Sequence, residues 1–291
     1  MKTLPIPFEK IAVALALSPR VEEIVNEGLR FATLFGAQLY FIHIGKNDEH
    51  VIDKLKLVIA KNNANNQAFE FIHKEGDVVD ALLSTTKNLG VDLLIAGALE
   101  KESQIRYLLG SISRSICRKA KCSVLILSEP SLESKSYKNI VVSCIDHPKT
   151  PFTIDTSIYF AQKTGGDLLH LVKEDELSHI THRAEEAVPQ EDFVNFYRQK
   201  VLEEKKIFQE IENGHDFNGL EIKEKLLKGK PGLEIAHYAR KAQADLLVLN
   251  SPDQKLGILD RVFPHHIEHV LEDLPCSLLI VHSRVSSSIN A

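Results

Sequence analysis

Residues 91–126 read VDLLIAGALEKESQIRYLLGSISRSICRKAKCSVLI. Within them, residues 91–96 form an apolar run that ends at Gly97, residues 111–119 follow a helical pattern, and residues 122–127 form a second apolar run. Strands without polar alternation have no solvated side, which is typical of a parallel sheet covered by helices on both faces. The stretch therefore predicts two buried strands joined by a loop and a helix.

The residues before this stretch alternate between strand and helix patterns in the same way. We predict strands at residues 11–17, 39–44 and 68–72. We predict helices from Val21 to a stop at Gly36, over residues 51–59, and from Asp77 to residue 83. The order βαβαβαβαβ predicts an α/β fold, a doubly wound domain with a five-stranded, mainly parallel sheet and helices on both faces.

The second half of the chain repeats the first half. A repeat of this length is a duplicated domain rather than a solenoid unit, because each copy is large enough to enclose its own core. The offset between the copies is 129 residues near the first helix and 153 to 154 residues farther on. The matching stretches are Phe31-Ala32 with Gly36 and Leu39 against Phe160-Ala161 with Gly165 and Leu168, Val91-Asp92-Leu93-Leu94-Ile95 against Ala244-Asp245-Leu246-Leu247-Val248, and Cys122-Ser123-Val124-Leu125-Ile126 against Cys276-Ser277-Leu278-Leu279-Ile280.

The repeat predicts two tandem domains. We place the first at residues 1–130, a Ser-, Glu- and Lys-rich linker at 131–138, and the second at 139–291. The change of offset predicts an enlarged second helix region at about residues 173–220. Its charged, amphipathic sequence favours a solvated helix lying on its own sheet, and a dedicated partner-docking arm is the alternative.

Composition limits the classes of partner. The chain has 291 residues and a net charge of -5, so it lacks the basic field that gathers nucleic acid or anionic lipid. No apolar run approaches the roughly 18 to 20 residues needed to cross a bilayer, and the signal-like run at residues 11–17 recurs inside the chain at 140–145. The four cysteines lie in apolar contexts, which favours packing over a disulfide scaffold and indicates a reducing cytoplasm.

A ligand site is expected beyond the carboxyl ends of the strands. In an open parallel sheet this is where the strand order reverses, so the loops after Leu17, Ile44 and Ala96 should lie at the mouth. Gly110-Ser111 opens the last helix of the first copy. Free backbone N–H groups, a hydroxyl and the positive end of the helix dipole suit a phosphate group.

The sequence resembles the universal stress protein family, with its adenine nucleotide alpha hydrolase-like fold. The resemblance rests on Gly97 and Gly110-Ser111, which match parts of that family's Gly-x2-Gly-x9-Gly-Ser/Thr loop. It also rests on Gly76, on the apolar runs at residues 91–95 and 122–126, and on residues 168–172 of the second copy. It implies an adenine nucleotide, ATP or AMP, in the first copy. The implied contacts are Gly97, Gly110, Ser111 and Ser113, with adenine against the backbone near Ile44, and Asp146 and Leu171 as remnants in the second copy.

The resemblance also implies how the two copies meet. In that family the fifth strands of two domains pair edge to edge. Here residues 124–127 and 278–281 are expected to pair within one chain as a pseudo-dimer, which would cover both edges, and the chain is expected to dimerise again.

Each copy departs from the family's loop in a different way. In the first copy Glu100 replaces a loop glycine, and Ala16 stands about where nucleotide-binding members carry an aspartate. An acid repels a triphosphate. In the second copy the loop begins Asn250-Ser251-Pro252-Asp253 and ends at Pro264-His265, and proline offers no N–H to phosphate. Three options stay open: weak or absent nucleotide binding, binding in the first copy only, or a different ligand; we favour the first copy.

Histidines in the second half raise the question of zinc. His265 and His269 are four residues apart and can share a helix face, so they are the candidate ligands for such an ion. No CxxC or HExxH motif supports them. Nor does the sequence contain a nucleophile elbow or a P-loop, so we expect no catalytic residue and at most weak ATP hydrolysis.

Three functions therefore remain. The first is a tandem stress protein that binds an adenine nucleotide as a regulatory ligand. The second is a scaffold of the same fold that acts through protein contacts. The third is a metal-binding variant. We favour the first, because Gly97 and Gly110-Ser111 are present.

Overall fold

The computed structural model describes residues 7–100, 107–175, 199, 202, 206–217, 219–252 and 263–283. The first half follows the predicted alternation of strands and helices. Its elements are β1 (Lys10–Leu15), α1 (Val21–Phe35), β2 (Gln38–Ile44), α2 (Glu49–Asn62), β3 (Phe69–Lys74), α3 (Val78–Leu89), β4 (Leu93–Gly97), the short β5 (Leu99–Glu100) and β6 (Tyr107–Leu108), α4 (Ser111–Lys119) and β7 (Ser123–Leu127).

The second half has the same order of elements. They are β8 (Asn139–Ser143), α5 (Thr150–Thr164), β9 (Leu168–Asp175), a helical stretch at residues 206–214 that we call α6, β10 (Glu221–Lys228), α7 (Leu233–Lys241), β11 (Leu246–Asn250), α8 (Phe263–Glu272) and β12 (Ser277–Val281).

All the long strands belong to one sheet, in the order β10-β9-β8-β11-β12-β7-β4-β1-β2-β3. In the described part of the chain each half contributes five parallel strands, with its first strand in the middle. The halves meet where β7 and β12 pair antiparallel, with Leu125 opposite Leu279. We call this pairing the seam. Resemblance to the universal stress protein family implied a pairing of these two strands.

Helix boundaries follow from local capping. The Asp77 carboxylate accepts the N–H groups of Val79 and Asp80, both at 3.0 Å, and so begins α3. Gly36 ends α1 in the left-handed conformation, with φ of 65°, where glycine has no steric penalty. Both residues act as the sequence predicted.

One predicted equivalence between the halves is wrong by one residue. Leu39 lies opposite Ile11 in the first half, and Leu169 lies opposite Ile140 in the second, so the counterpart of Leu39 is Leu169 rather than Leu168. The extra residue lies just before β9, where both Asp167 and Leu168 donate to the Lys138 carbonyl. A one-residue shift reverses which face each side chain occupies.

The apolar cores on the two sheet faces each continue across the seam. On one face α1 packs against α5 through aromatic rings, with Phe31 and Phe35 both 5.7 Å from Phe160 between ring centroids. On the other face Arg118 of α4 makes a bidentate ion pair with Glu268 of α8. The two halves therefore share one packed body.

The segment that connects the halves, residues 131–138, has no regular secondary structure but is held to α1. Asn26 donates to the carbonyls of Ser131 and Leu132 at 2.9 and 3.1 Å. Tyr137 is buried, and its ring lies 5.2 Å from Phe160. This connecting segment is therefore packed against the rest of the protein.

Little of the predicted insertion at residues 173–220 falls within the described residues. In α6, Phe208 is buried in the core on its own side of the sheet, as expected for a helix lying on that sheet. The docking-arm alternative concerns mostly residues outside the described ranges.

Two expectations about chemistry and membranes can be checked on the described residues. All four cysteines are buried and form no disulfide with one another, and burial raises the pKa of Cys117 and Cys144 to about 12. These thiols therefore pack as small apolar groups at neutral pH. Among the described helices, none has the length and apolar character to cross a bilayer.

Candidate functional site

The first-half candidate site lies where the strand order reverses, between β1 and β4. Ile44 ends β2, Gly97 ends β4, and Ser111 begins α4. The fold therefore puts the predicted contacts at the carboxyl edge of the first-half sheet.

The N-terminus of α4 is open to an anion. Gly110 is its N-cap residue and supplies no capping side chain, and the first turn contains no acidic residue. Ser111 is exposed and Ser113 is half-buried. By contrast, α2 and α3 are capped by Asp48 and Asp77. The first N–H groups of α4, which an α-helix leaves without an intrahelical partner, and the two hydroxyls are the part of the candidate site that would suit a phosphate.

The loop that leads to α4 contains a feature that the sequence did not predict. β5 and β6 pair antiparallel, with Leu99 opposite Leu108 and Glu100 opposite Tyr107. Residues 101–106, which connect β5 and β6 in the sequence, lie outside the described residues, as does the side chain of Glu100. The short hairpin carries no strong pattern because its strands have only two residues each.

Gly97 has a packing role of its own. A Cβ atom at this position would lie 2.7 Å from Cδ1 of Ile24 in α1. In the second half the counterparts of Gly97 and Ile24 are Asn250 and Thr153, and the Asn250 carboxamide accepts the Thr153 hydroxyl and donates to Thr150 at 3.0 Å. The glycine is thus matched to the residue across from it, independently of any ligand.

The adenine side of the candidate site offers little side-chain surface. Ile44 is only 8% exposed, and its side chain packs into the core. Ala16 and Leu17 are exposed at the end of β1 and provide no carboxylate for a ribose.

The corresponding place in the second half is filled by the chain itself. With the corrected register, Glu174 takes the position of Ile44. Its carboxylate accepts the N–H groups of Gly232 and Ile235 at 2.9 and 3.0 Å, which places an anion at the start of α7. Sequence analysis missed this role, although the run Lys173-Glu174-Asp175 at the end of an apolar strand was a visible signal.

The space left beside Glu174 is small. A cavity of about 40 Å³ is bordered by Glu174, Asn250 and Pro252 together with apolar side chains such as Ile267. A water needs at least about 10–15 Å³ of such space, so the cavity holds a few waters and not a nucleotide. Lys149 is also engaged, because its ammonium donates to the Ser251 carbonyl and hydroxyl at 3.2 Å.

The two predicted second-half remnants lie in different environments. Asp146 is exposed at the end of β8. Leu171 is fully buried in the core, so its side chain presents no surface to a ligand in this structure. Of these two side chains, only that of Asp146 is open to solvent.

The zinc candidates are only partly described. His269 lies in α8 with Nδ1 4.0 Å from the Glu272 carboxylate, and the side chain of His265 is outside the described residues. Among the side chains that are described, no group of three or more His, Cys, Asp or Glu residues is placed to hold a metal ion.

Comparison with known proteins gives a consistent result. The family model described as the universal stress protein family matches residues 45–128 and 136–282. A crystal structure of a functionally unknown protein from Pseudomonas aeruginosa PAO1 superposes with a TM-score of 0.72 at 14% identity, covering 96% of this chain and 94% of that one. A universal stress protein from Archaeoglobus fulgidus DSM 4304 superposes with a TM-score of 0.63 at 15% identity, covering 94% and 99%. No curated protein matches significantly.

Proposed function

Because this chain belongs to the universal stress protein family and carries two such domains, we propose that its first half binds an adenine nucleotide as a regulatory ligand. The ligand would be ATP or AMP, and the second half would bind none. The chain would act in a stress response in the cytoplasm, without a catalytic residue of its own.

The open N-terminus of α4 is the observation that carries this proposal. Ser111 and Ser113 add hydroxyl donors to its free N–H groups, and no carboxylate occupies its first turn. A bound phosphate would cap α4 in the way that the side chains of Asp48 and Asp77 cap α2 and α3. The residues therefore fit the phosphate of a nucleotide.

The second half supports the assignment by contrast. There Glu174 places a negative charge at the position that Ile44 has in the first half, on the adenine side, and the adjoining cavity is too small for a nucleotide. The helix that corresponds to α4 is α8, and the side chains at its start lie outside the described residues. We therefore place the ligand in the first half alone.

The departures in the first half predict weak binding. Without an acid near Ala16 the ribose loses a polar anchor, and Gly97 is explained by Ile24 without a ligand. Binding to the folded state still raises the free energy of unfolding, and with it the melting temperature, by an amount that grows with the logarithm of one plus the ratio of ligand concentration to dissociation constant. A titration is thus more informative than a single concentration.

The test compares full-length protein with Ser111→Asp. The new carboxylate at the start of α4 should stabilise the free protein by about 0.3–1 kcal/mol through the helix dipole, yet abolish the rise in melting temperature caused by ATP or AMP. Ser84→Asp, on the exposed side of α3, should leave that rise unchanged. If neither nucleotide moves the melting temperature of the wild type, and denatured protein releases no adenine nucleotide, the scaffold function replaces this one.

A further inference from the structure

The two outer strands of the ten-stranded sheet differ in how they are protected. β10 carries Glu221, Lys223, Glu224, Lys225 and Lys228 among its eight residues. Charges of this density keep other strands from pairing with an edge. β3, at the opposite edge, reads FEFIHK and has two charged residues among six. In the described part of the chain, no strand pairs with its outer side.

One large apolar side chain is exposed on this second edge, because Phe69 of β3 is 40% exposed. Phe71 on β3 and Leu55 on α2 belong to the same side of the sheet, so α2 covers the face to which Phe69 also points. An exposed aromatic side chain on an unpaired edge strand is apolar area that a partner strand would cover.

The sequence of β3 is complementary to itself. If two copies meet antiparallel about a two-fold axis at Ile72, Glu70 of each copy lies opposite Lys74 of the other, and Phe71 lies opposite His73. The Ile72 side chains face each other at the centre. In β3 alternate side chains point to opposite faces, so each opposed pair lies on one face of the joined sheet. Glu70 and Lys74 are both exposed and available for these pairs.

We propose that β3 is a self-association surface, and that two copies of this chain pair their β3 strands antiparallel in the register that sets Glu70 against Lys74. Two opposite-charge pairs and a central isoleucine pair then hold the joint. Phe69 lies beside it and loses exposed apolar area. The contact is separate from the seam, and it adjoins the candidate nucleotide site only at Lys74, which lies opposite Ile44 in the register of β2 and β3.

Charge exchange provides the test. Sedimentation equilibrium of the full chain should show a dimer for the wild type. Glu70→Lys and Lys74→Glu should each raise the dimer dissociation constant on the order of tenfold or more, because two attractive pairs become repulsive. The double variant E70K/K74E should recover the wild-type value. An equimolar mixture of the two single variants should form a heterodimer, because every β3 charge then meets its opposite.

Lys225→Glu in β10 is the matched control, since it makes the same change on the other edge and should leave the dimer intact. Circular dichroism and thermal melting of each variant establish that it is folded. A wild type that remains a monomer at every concentration overturns the proposal. The proposal is also overturned if neither single change raises the dimer dissociation constant. It is overturned as well if the single variants dissociate but neither the double variant nor the equimolar mixture restores the dimer.

Discussion

The hydroxyl of Ser277 accepts the backbone N–H of Ser128 across the seam at 3.3 Å. The same relationship occurs a second time, where Ser123 accepts the N–H of His282 at 3.1 Å. Ser123 and Ser277 are the serines of the repeated Cys-Ser pair, and each begins the last strand of its half. The repeated motif thus fixes the two halves to each other symmetrically.

Removal of either seam hydroxyl should destabilise the whole protein. Ser277→Ala or Ser123→Ala leaves an N–H without its acceptor, and we expect each to lower the free energy of unfolding by about 1–2 kcal/mol. Urea denaturation measures this loss, with Ser84→Ala on exposed α3 as the control. Equal stability of the seam variants and the control would show that water replaces these hydroxyls.

Gly97 and Ile24 should be energetically coupled. Gly97→Ala places a Cβ atom against Ile24 Cδ1, and we expect a loss of about 1 kcal/mol from crowding. In an Ile24→Val background the obstructing methyl group is absent, so the same change should cost less. A double-mutant cycle by chemical denaturation measures the difference. Additive effects would remove the packing explanation for this glycine.

Glu174 should act as an internal anion for α7. Glu174→Ala should lower the free energy of unfolding by about 1–3 kcal/mol, because two N–H groups lose a charged acceptor. Glu174→Gln keeps an acceptor and should lose less. Sulfate should raise the melting temperature of the alanine variant more than that of the wild type, since the vacated helix start becomes an anion site. An equal sulfate effect on both proteins contradicts this role.

His170 should make stability depend on pH. Burial, and then the charge of Lys223, lower the pKa of His170, which is 3% exposed and 2.8 Å from the Tyr238 hydroxyl. The unfolded state therefore binds a proton at His170 more readily than the folded state does. The contribution of His170 to the free energy of unfolding is complete above the unfolded pKa of about 6.5 and is lost as pH falls below it. His170→Phe should flatten the fall in unfolding free energy between neutral and mildly acidic pH. His50→Gln, at an exposed site, should not.

The order of elements could be predicted because buried parallel strands are apolar throughout. Residues 91–96 and 122–127, predicted from that signal, correspond to β4 and β7. The register of β9 could not be predicted in the same way. Leu168 and Leu169 are identical residues, so the sequence does not show which one points to which face.

The sequence could predict only those parts of the candidate site that depend on adjacent residues in the chain. The open start of α4 follows from Gly110-Ser111, and it is present in the structure. The roles of Glu174 and Gly97 depend on partners about 60 and 70 residues away along the chain, Gly232 with Ile235 and Ile24, respectively. Such pairings exist only after folding, and a linear pattern does not encode them.

The antiparallel seam also bears on synthesis of the chain. Except for β7, the strands of the main sheet in the first half pair only with strands of that half. β7 also pairs with β12, which is synthesised after all the other described strands. A nascent first half emerging from the ribosome therefore carries a finished sheet with a bare apolar border, a hazard for misassembly with a neighbouring nascent chain. We expect slow translation of the second half to favour such cross-paired species.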